Sequence, residues 1–228
     1  MISTVPGLTV LSKCFNLDGS NSTYSAANPY CQLIQRDGAG QLVSVSTPYL
    51  NLGGLKTAGI EAQLHLGLPA TFIAESGRVY VDAGVNWLSS YKVQLLPGAP
   101  FLDYTDVSNG GAGTGSVPPR ATPRWKGLAT LGYRSEAVSV GVRWKYQGSM
   151  RDVSTVLTPA TAQVGVGAYS TFDLFTSFRV SKAYEFRVGV NNFTDKSLPF
   201  VASSQNGTDV ALYDPLGRTF YAGVKLNF

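Results

Sequence analysis

Charge is scarce in this sequence. Lys, Arg, Asp and Glu together make 14% of its 228 residues, well under the roughly 25% of an ordinary soluble domain, so a surface wetted on every side is a poor fit. Long hydrophobic runs are missing too. Stretches such as Phe72 to Ala74 and Val79 to Val81 fall far short of the roughly 18 apolar residues of a membrane-crossing helix, which excludes a helical membrane protein. The net charge of +4 is mild and Lys and Arg are scattered rather than clustered, so nucleic acid is not expected as a partner. The start, MISTVPGLTVLSKCF, shows no basic n-region, apolar core or cleavage site, so no export signal is expected in it. The chain is then either not exported or preceded by a front end that carries the signal. Only two cysteines are present, Cys14 and Cys31, and the sole histidine, His65, is too far off to complete a metal site with them. No metal and no cofactor are expected. A loop disulfide is favoured, which would stabilise by about 3 kcal/mol in the chain-entropy model and implies an oxidising compartment.

What the chain has in quantity is alternation. Val138, Val140, Val142, Trp144 and Tyr146 interleave with Ser139, Gly141, Arg143 and Lys145. Ile60, Ala62, Leu64, Leu66 and Leu68 interleave with Glu61, Gln63, His65 and Gly67, and Val81, Ala83 and Val85 with Tyr80, Asp82, Gly84 and Asn86. The same period of two recurs over 172–180, 186–191 and 220–228, less cleanly over 125–133. A period of two predicts strands with one face in an apolar medium and the other in a polar one. That gives seven strands, with part of another expected in the first 13 residues and no helix of useful length. The connections alternate as well: 135–136 and 181–183 are tight turns, 69–77 is somewhat longer, and 96–119, 152–166 and 195–217 are long and rich in Gly, Ser, Asn, Asp and Pro. Short and long in turn puts all tight turns at one rim and all long loops at the other, as in transmembrane β-barrels. The segment 110–115 reads as loop, not as a linker.

A soluble sandwich also alternates, but its outer face should be dense with Lys and Glu. Here the polar parity carries Gly, Ser, Asn, Gln, Tyr and a thin mixture of charges, which suits a watery lumen. Aromatics gather toward strand ends (Trp87, Tyr133, Trp144, Tyr146, Phe186, Phe228), where interfacial girdles belong. The fold class expected is therefore all-β, an antiparallel up-and-down transmembrane β-barrel segment. A small self-contained barrel with a structural or adhesive role, and a soluble β-sandwich binding module, are the alternatives.

Four stretches then carry a resemblance. YDPLGRTFYAGVKLNF (213–228), preceded by VGVNNFTDKSLPF (188–200), resembles the end of TonB-dependent outer-membrane receptors. NLGGLKTAGIEAQLHLGL (51–68) is similar to the strand of that family that enters through an Asn and reaches a Gly-Ile-Glu element. CFNLDGSNSTYSAANPYCQLIQRDGAGQL (14–42) is similar to a cysteine-bracketed extracellular loop of one branch. The resemblance implies that residues 1–228 form the C-terminal portion of a barrel of about 22 strands, with plug domain and TonB-contacting segment lying elsewhere and residues 14–46 forming the bracketed loop. It further implies energised uptake of a scarce nutrient such as an iron chelate, in the outer membrane of a Gram-negative bacterium. The implied partners are the lipid bilayer, a plug and through it TonB, a small-molecule nutrient, and the barrel-assembly machinery. The last would read Tyr221, Gly223, Leu226 and Phe228 as its signal.

Parity assigns Glu61, Gln63, His65, Asp82, Asn86, Arg143, Lys145, Asp173, Arg179, Glu185, Arg187 and Lys225 to the lumen face. Their mixed signs suit bonds between strands or to a plug better than substrate binding. His65 lacks a nucleophile with a Gly-x-Ser-x-Gly elbow, so no catalytic residue is expected and the chain is read as no enzyme. The loops hold Asp103, Tyr104, Asp106, Arg151, Asp152, Asn206, Asp209 and Tyr213, the residues expected to meet a captured ligand. Asp103 and Asp106 lack EF-hand spacing, and the two Asn-x-Thr sequons mean little in a bacterial outer membrane.

Overall fold

The computed structural model describes residues 2–51, 53–94, 100–108, 121–157, 159–204 and 206–226. The loop expected at 110–115 and the terminal Phe228 lie outside the described residues. The chain divides into two compact units, Met1–Leu55 with Val93–Phe101, and Lys56–Lys92 with Leu102–Phe228.

The second unit is built on an antiparallel sheet. Its strands are β1 (Gly54–Pro69), β2 (Arg78–Gln94), β3 (Trp125–Arg134), β4 (Val138–Gln147), β5 (Tyr169–Arg179), β6 (Tyr184–Asn191) and β7 (Thr219–Leu226). Each neighbours the next in sequence, from β1 at one edge to β7 at the other, and the two-residue strand Leu102–Asp103 pairs beside β2 to make eight. All seven strands expected from alternation are present. β1 and β2 run longer than alternation indicates, because their outer ends, such as Ser89 to Lys92, lie beyond the apolar stripe. No contrast of media imposes a period of two there.

Register lines the apolar residues up across the sheet. Val142 sits opposite Leu131 on β3 and Leu174 on β5, Phe178 opposite Val138 and Phe186, and Phe186 opposite Val224. Nothing covers this face among the described residues: Val138, Val140 and Leu226 are 38%, 44% and 50% exposed. β3 and β4 are 10 residues long and β5 is 11, matching the ~9–11 residues of a tilted transmembrane strand. Aromatics close the stripe at its ends. Trp87 packs 6.1 Å from Trp125 and Trp144 5.5 Å from Tyr146 at the long-loop end, and Phe178 stacks 5.4 Å from Phe186 at the tight-turn end.

The other face is polar and contains a row of glycines roofed by rings. Tyr80 lies over Gly132, Phe175 over Gly141 and Tyr221 over Gly189, each pair directly opposite in register. Glycine lets an aromatic side chain lie flat across the neighbouring strand, the device called aromatic rescue.

The first unit holds a disulfide-linked loop. Strand Ile2–Thr4 pairs with Tyr49–Asn51, so the fractional strand expected near the start is there, but it gives way to α1 (Gly7–Cys14) after Pro6. Two helical turns with only Val10 and Cys14 buried are too short for a period of 3.6 to show in the sequence. Val5 and Val10 form a small core with Tyr30, Leu33, Ile34 and Val45, the last two from the hairpin Ile34–Arg36 and Leu42–Val45. Cys14 and Cys31 are bonded, with Cα atoms 4.8 Å apart.

A side chain at Gly141 would test the packing of the polar face. Its Cβ would stand 2.5 Å from Phe175 and 2.9 Å from the Leu131 carbonyl, so Gly141→Val should cost about 1–3 kcal/mol by overpacking. The expected result is a lower thermal midpoint of the refolded chain in detergent, followed by far-UV circular dichroism, with the strand spectrum unchanged below the transition.

Candidate functional site

Two regions of the second unit gather polar chemistry: the polar face of the sheet, and the loops at the long-loop end. On the sheet, Lys145 Nζ lies 2.6 Å from Asp173 Oδ2, and the Asn192 backbone N–H donates to Asp173 Oδ1 at 3.0 Å. Asp173 is buried, so its charge is compensated on both oxygens, as a desolvated carboxylate requires. Glu185 is shared between Arg187 at 2.8 Å and Arg179 at 3.9 Å, opposite Lys225 in register. His65 Nδ1 lies 2.9 Å from Asp82 Oδ1, both side chains largely exposed. Ser139 and Ser177 face each other across β4 and β5, with β3 standing between β4 and the strand that carries Asp82. Among the described residues no group of three His, Cys, Asp or Glu could hold a metal ion.

The long loops are not loose. Val107–Ser108 pairs in parallel with Arg151–Asp152, joining the loop after β2 to the loop after β4, and Arg151 donates from its guanidinium to the Thr105 carbonyl at 2.9 Å. Asp152 then reaches the third loop. Its Oδ1 accepts from Ser154 N–H and Oγ at 2.9 and 2.6 Å, and its Oδ2 from Ser203 Oγ and N–H at 2.7 and 3.3 Å. The carboxylate is 0% exposed. Burial pushes its pKa up, but the side-chain and backbone hydrogen bonds from Ser154 and Ser203 outweigh that and hold it below the ordinary value. Below this clasp, Met150, Val166, Tyr169, Val201 and Tyr213 form a separate apolar cluster, with Tyr169 and Tyr213 edge to face at 5.1 Å. Burial, with Asp209 nearby, pushes the Tyr213 hydroxyl up to about 12. The loop after β6 is also closed at its base. Buried Asn192, at φ 48°, accepts from Lys196 N–H at 2.9 Å, and Arg218 pairs with Asp195 at 2.8 Å.

Residues 15–193 match the family model described as TonB dependent receptor-like, beta-barrel. The chain belongs to that family. No curated protein matches it. Among solved structures, a substituted variant of the ferric enterobactin receptor of Pseudomonas aeruginosa is similar at 19% identity and a TM-score of 0.54, over 81% of this chain and 24% of that one. A second variant of the same receptor, in complex with enterobactin, gives 19% and 0.53 over the same shares. The chain thus spans about a quarter of the length of the receptors it resembles, and at that identity the likeness speaks for the fold alone.

For a TonB-dependent receptor barrel, the placement of the expected residues is informative. Glu61, Gln63, His65, Asp82, Asn86, Arg143, Lys145, Asp173, Arg179, Glu185, Arg187 and Lys225 all sit on strands of the one sheet. Tyr221, Gly223 and Leu226 lie on β7, exposed; the fourth residue of that set, Phe228, is outside the described residues. The loop residues separate into two kinds. Tyr104, Asp152, Asp209 and Tyr213 are buried and knit the loops together, whereas Asp103, Asp106, Arg151 and Asn206 keep exposed or half-exposed positions. Asp103 is held below the ordinary value: burial opposes this, but Thr105 donates to it and Lys92 and Arg151 stand near. Sequence reading missed Ser154 and Ser203, because Ser in a Ser-rich loop carries no periodic signal. It also missed Arg78 and Arg134 on the polar face, which parity alone would have placed there.

The Asp152 clasp predicts a local effect. Asp152→Ala removes the acceptor for both serines and should cost the loop cluster about 2–3 kcal/mol, the worth of hydrogen bonds to a charged group, leaving strand content unchanged. Limited proteolysis should then cut within 153–165 and 198–212 much faster than in the parent chain. Because the folded pKa is depressed, the contribution is fully present above the ordinary Asp value of about 3.9 and is lost as pH falls through the lower folded one. Protease resistance of the loops, probed with pepsin, should therefore persist through the usual carboxylate range and fail only below it.

Proposed function

We propose that the chain forms part of the barrel wall and the extracellular loops of an outer-membrane TonB-dependent receptor that imports a scarce nutrient, a ferric siderophore or another ligand of that size. The observation that carries this reading is the uncovered apolar stripe, continuous across neighbouring strands and closed at both ends by aromatics. In a soluble sandwich that stripe would lie under a second layer. In a bilayer it meets hydrocarbon, and the backbone groups are satisfied between strands.

The edges of the sheet support a larger barrel. β1 and β7 have one sheet neighbour each among the described residues, and β1 is 16 residues long with exposed Ile60, Leu64, Leu66 and Leu68. An unpaired edge in hydrocarbon costs several kcal/mol per backbone group, which supports a reading in which further strands flank both. The rest of such a receptor would supply them, with the plug that couples to TonB and the inner membrane. In this mechanism the clasped loops capture ligand at the outer rim, where Asp103, Asp106, Arg151 and Asn206 are the contacts this chain offers. The plug rearranges when TonB pulls, and ligand passes along the polar face. Tyr221, Gly223 and Leu226, with Phe228, would present β7 to the barrel-assembly machinery, and the bonded Cys14–Cys31 loop suits the oxidising side of the membrane.

Spin labels test the orientation that everything else requires. In vesicle-reconstituted protein, labels at Val138, Val140 and Val142 should be relaxed by dissolved oxygen, and labels at Ser139 and Arg143 by a water-soluble nickel complex. The inverse pattern, or no alternation, would exclude the membrane-spanning reading. Transport is tested in cells carrying the whole in-frame gene: uptake of the nutrient should stop when the inner-membrane proton gradient is collapsed, while binding at the surface persists.

A further inference from the structure

The first unit contains two Asp-Gly pairs, Asp18-Gly19 and Asp37-Gly38, all four residues exposed. Such a pair can close on itself. The backbone nitrogen of the glycine bonds to the aspartyl Cγ, the Cγ–Oδ2 bond breaks, and Oδ2 leaves as water, carrying the carboxylic-acid proton and the proton given up by the nitrogen. Water then opens the five-membered imide at either carbonyl. Addition at Cγ restores aspartate; addition at the backbone carbon leaves the chain running through Cγ, as isoaspartate. Ring closure needs a free glycine nitrogen, a protonated carboxyl so that water rather than oxide departs, and donors for the oxygen that stays behind on the tetrahedral carbon.

At Asp18 the first two needs are unmet. Lys13 Nζ lies 2.8 Å from Oδ2, and Ser20 donates to Oδ1 from its Oγ at 2.6 Å and its N–H at 3.1 Å. Lys13 first and Ser20 second hold this carboxyl well below the ordinary range, so it stays ionised. The Gly19 N–H is turned to the Asn16 carbonyl at 3.4 Å. Asp37 differs on every count. Among the described residues no cation stands within ion-pair distance of it: neighbouring Arg36 donates to the Gly40 carbonyl at 2.7 Å and lies over the Phe15 ring at 5.3 Å. The Gly38 N–H has no acceptor among the described residues. Asp37 Oδ1 accepts from the Ala39 N–H at 2.9 Å and the Gln41 N–H at 2.8 Å. Reaching past Gly38 in this way lays the carboxyl along the Gly38 amide, and two backbone donors on one oxygen suit the charge that develops there.

We infer that Asp37 is a self-modification site, converting to isoaspartate in the folded protein while Asp18 stays as encoded. The added backbone atom falls in the turn between Ile34–Arg36 and Leu42–Val45, which is closed by Asp37 N–H to the Gln41 carbonyl at 3.0 Å and Gly40 N–H to the Asp37 carbonyl at 2.9 Å. The test ages the detergent-refolded chain in warm, mildly acidic buffer and sequences its peptides by electron-transfer fragmentation, which separates the two linkages despite their equal mass. Isoaspartate should accumulate at Asp37 about tenfold faster than at Asp18, and in urea the two rates should converge. Lys13→Gln should speed the reaction at Asp18. Gly38→Val, whose Cβ would meet nothing within 4 Å, should slow that at Asp37 about tenfold by crowding the attacking nitrogen. The contrast between folded chain and urea stands by itself should a variant fail to fold. Equal rates in the folded chain, a faster rate at Asp18, or a preference for Asp37 that survives in urea overturns the inference.

Discussion

A backbone that meets an apolar medium must satisfy its own N–H and C=O groups, and a sheet does so only through a neighbour on each side. Most of what is seen in this chain follows from that constraint. The meander, in which each strand is paired with the next, makes the pairing local in sequence. The apolar stripe, aligned residue by residue through the register, keeps one face uniformly suited to hydrocarbon. The same constraint makes β1 and β7 the least self-sufficient parts of the sheet, and it agrees with a chain that spans only about a quarter of the length of the receptors it resembles.

On the polar face a different rule operates. Charges there keep much of their side chains exposed, and several are tied to a partner or laid over a ring: Lys145 to Asp173, Arg187 and Arg179 to Glu185, Arg143 to Phe175. The glycines at 132, 141 and 189 let those rings lie flat. At the outer rim, long loops of Gly, Ser and Asp would carry a large entropy cost if left free. Here they are folded onto one another by an apolar cluster around Met150 and Tyr213 and by the buried Asp152 carboxylate. The rim is therefore a structured surface, from which a few polar residues project.

The seven strands, the rhythm of tight and long connections and the membership of each strand's two faces could be read from the sequence, because a period of two is written into adjacent residues and is enforced wherever two media meet. The family was legible as well, from the Asn-Phe-Thr-Asp-Lys ending of one strand and the Tyr-Ala-Gly-Val-Lys-Leu run of the last. The cysteine pair was favoured for bonding and is bonded. α1 escaped notice because two turns give too few repeats, and β2 was cut short where its alternation fades.

What the tertiary structure alone decided is which residues far apart in sequence face one another. Asp152 reads as one more polar loop residue until Ser203, 51 positions later, is seen to bond it, and Arg134 shows no conflict until register sets it against Arg78. Alternation is a local property and survives translation into sequence. Cross-loop clasps and cross-strand charge rows depend on where the chain returns in space, which no short window of residues encodes.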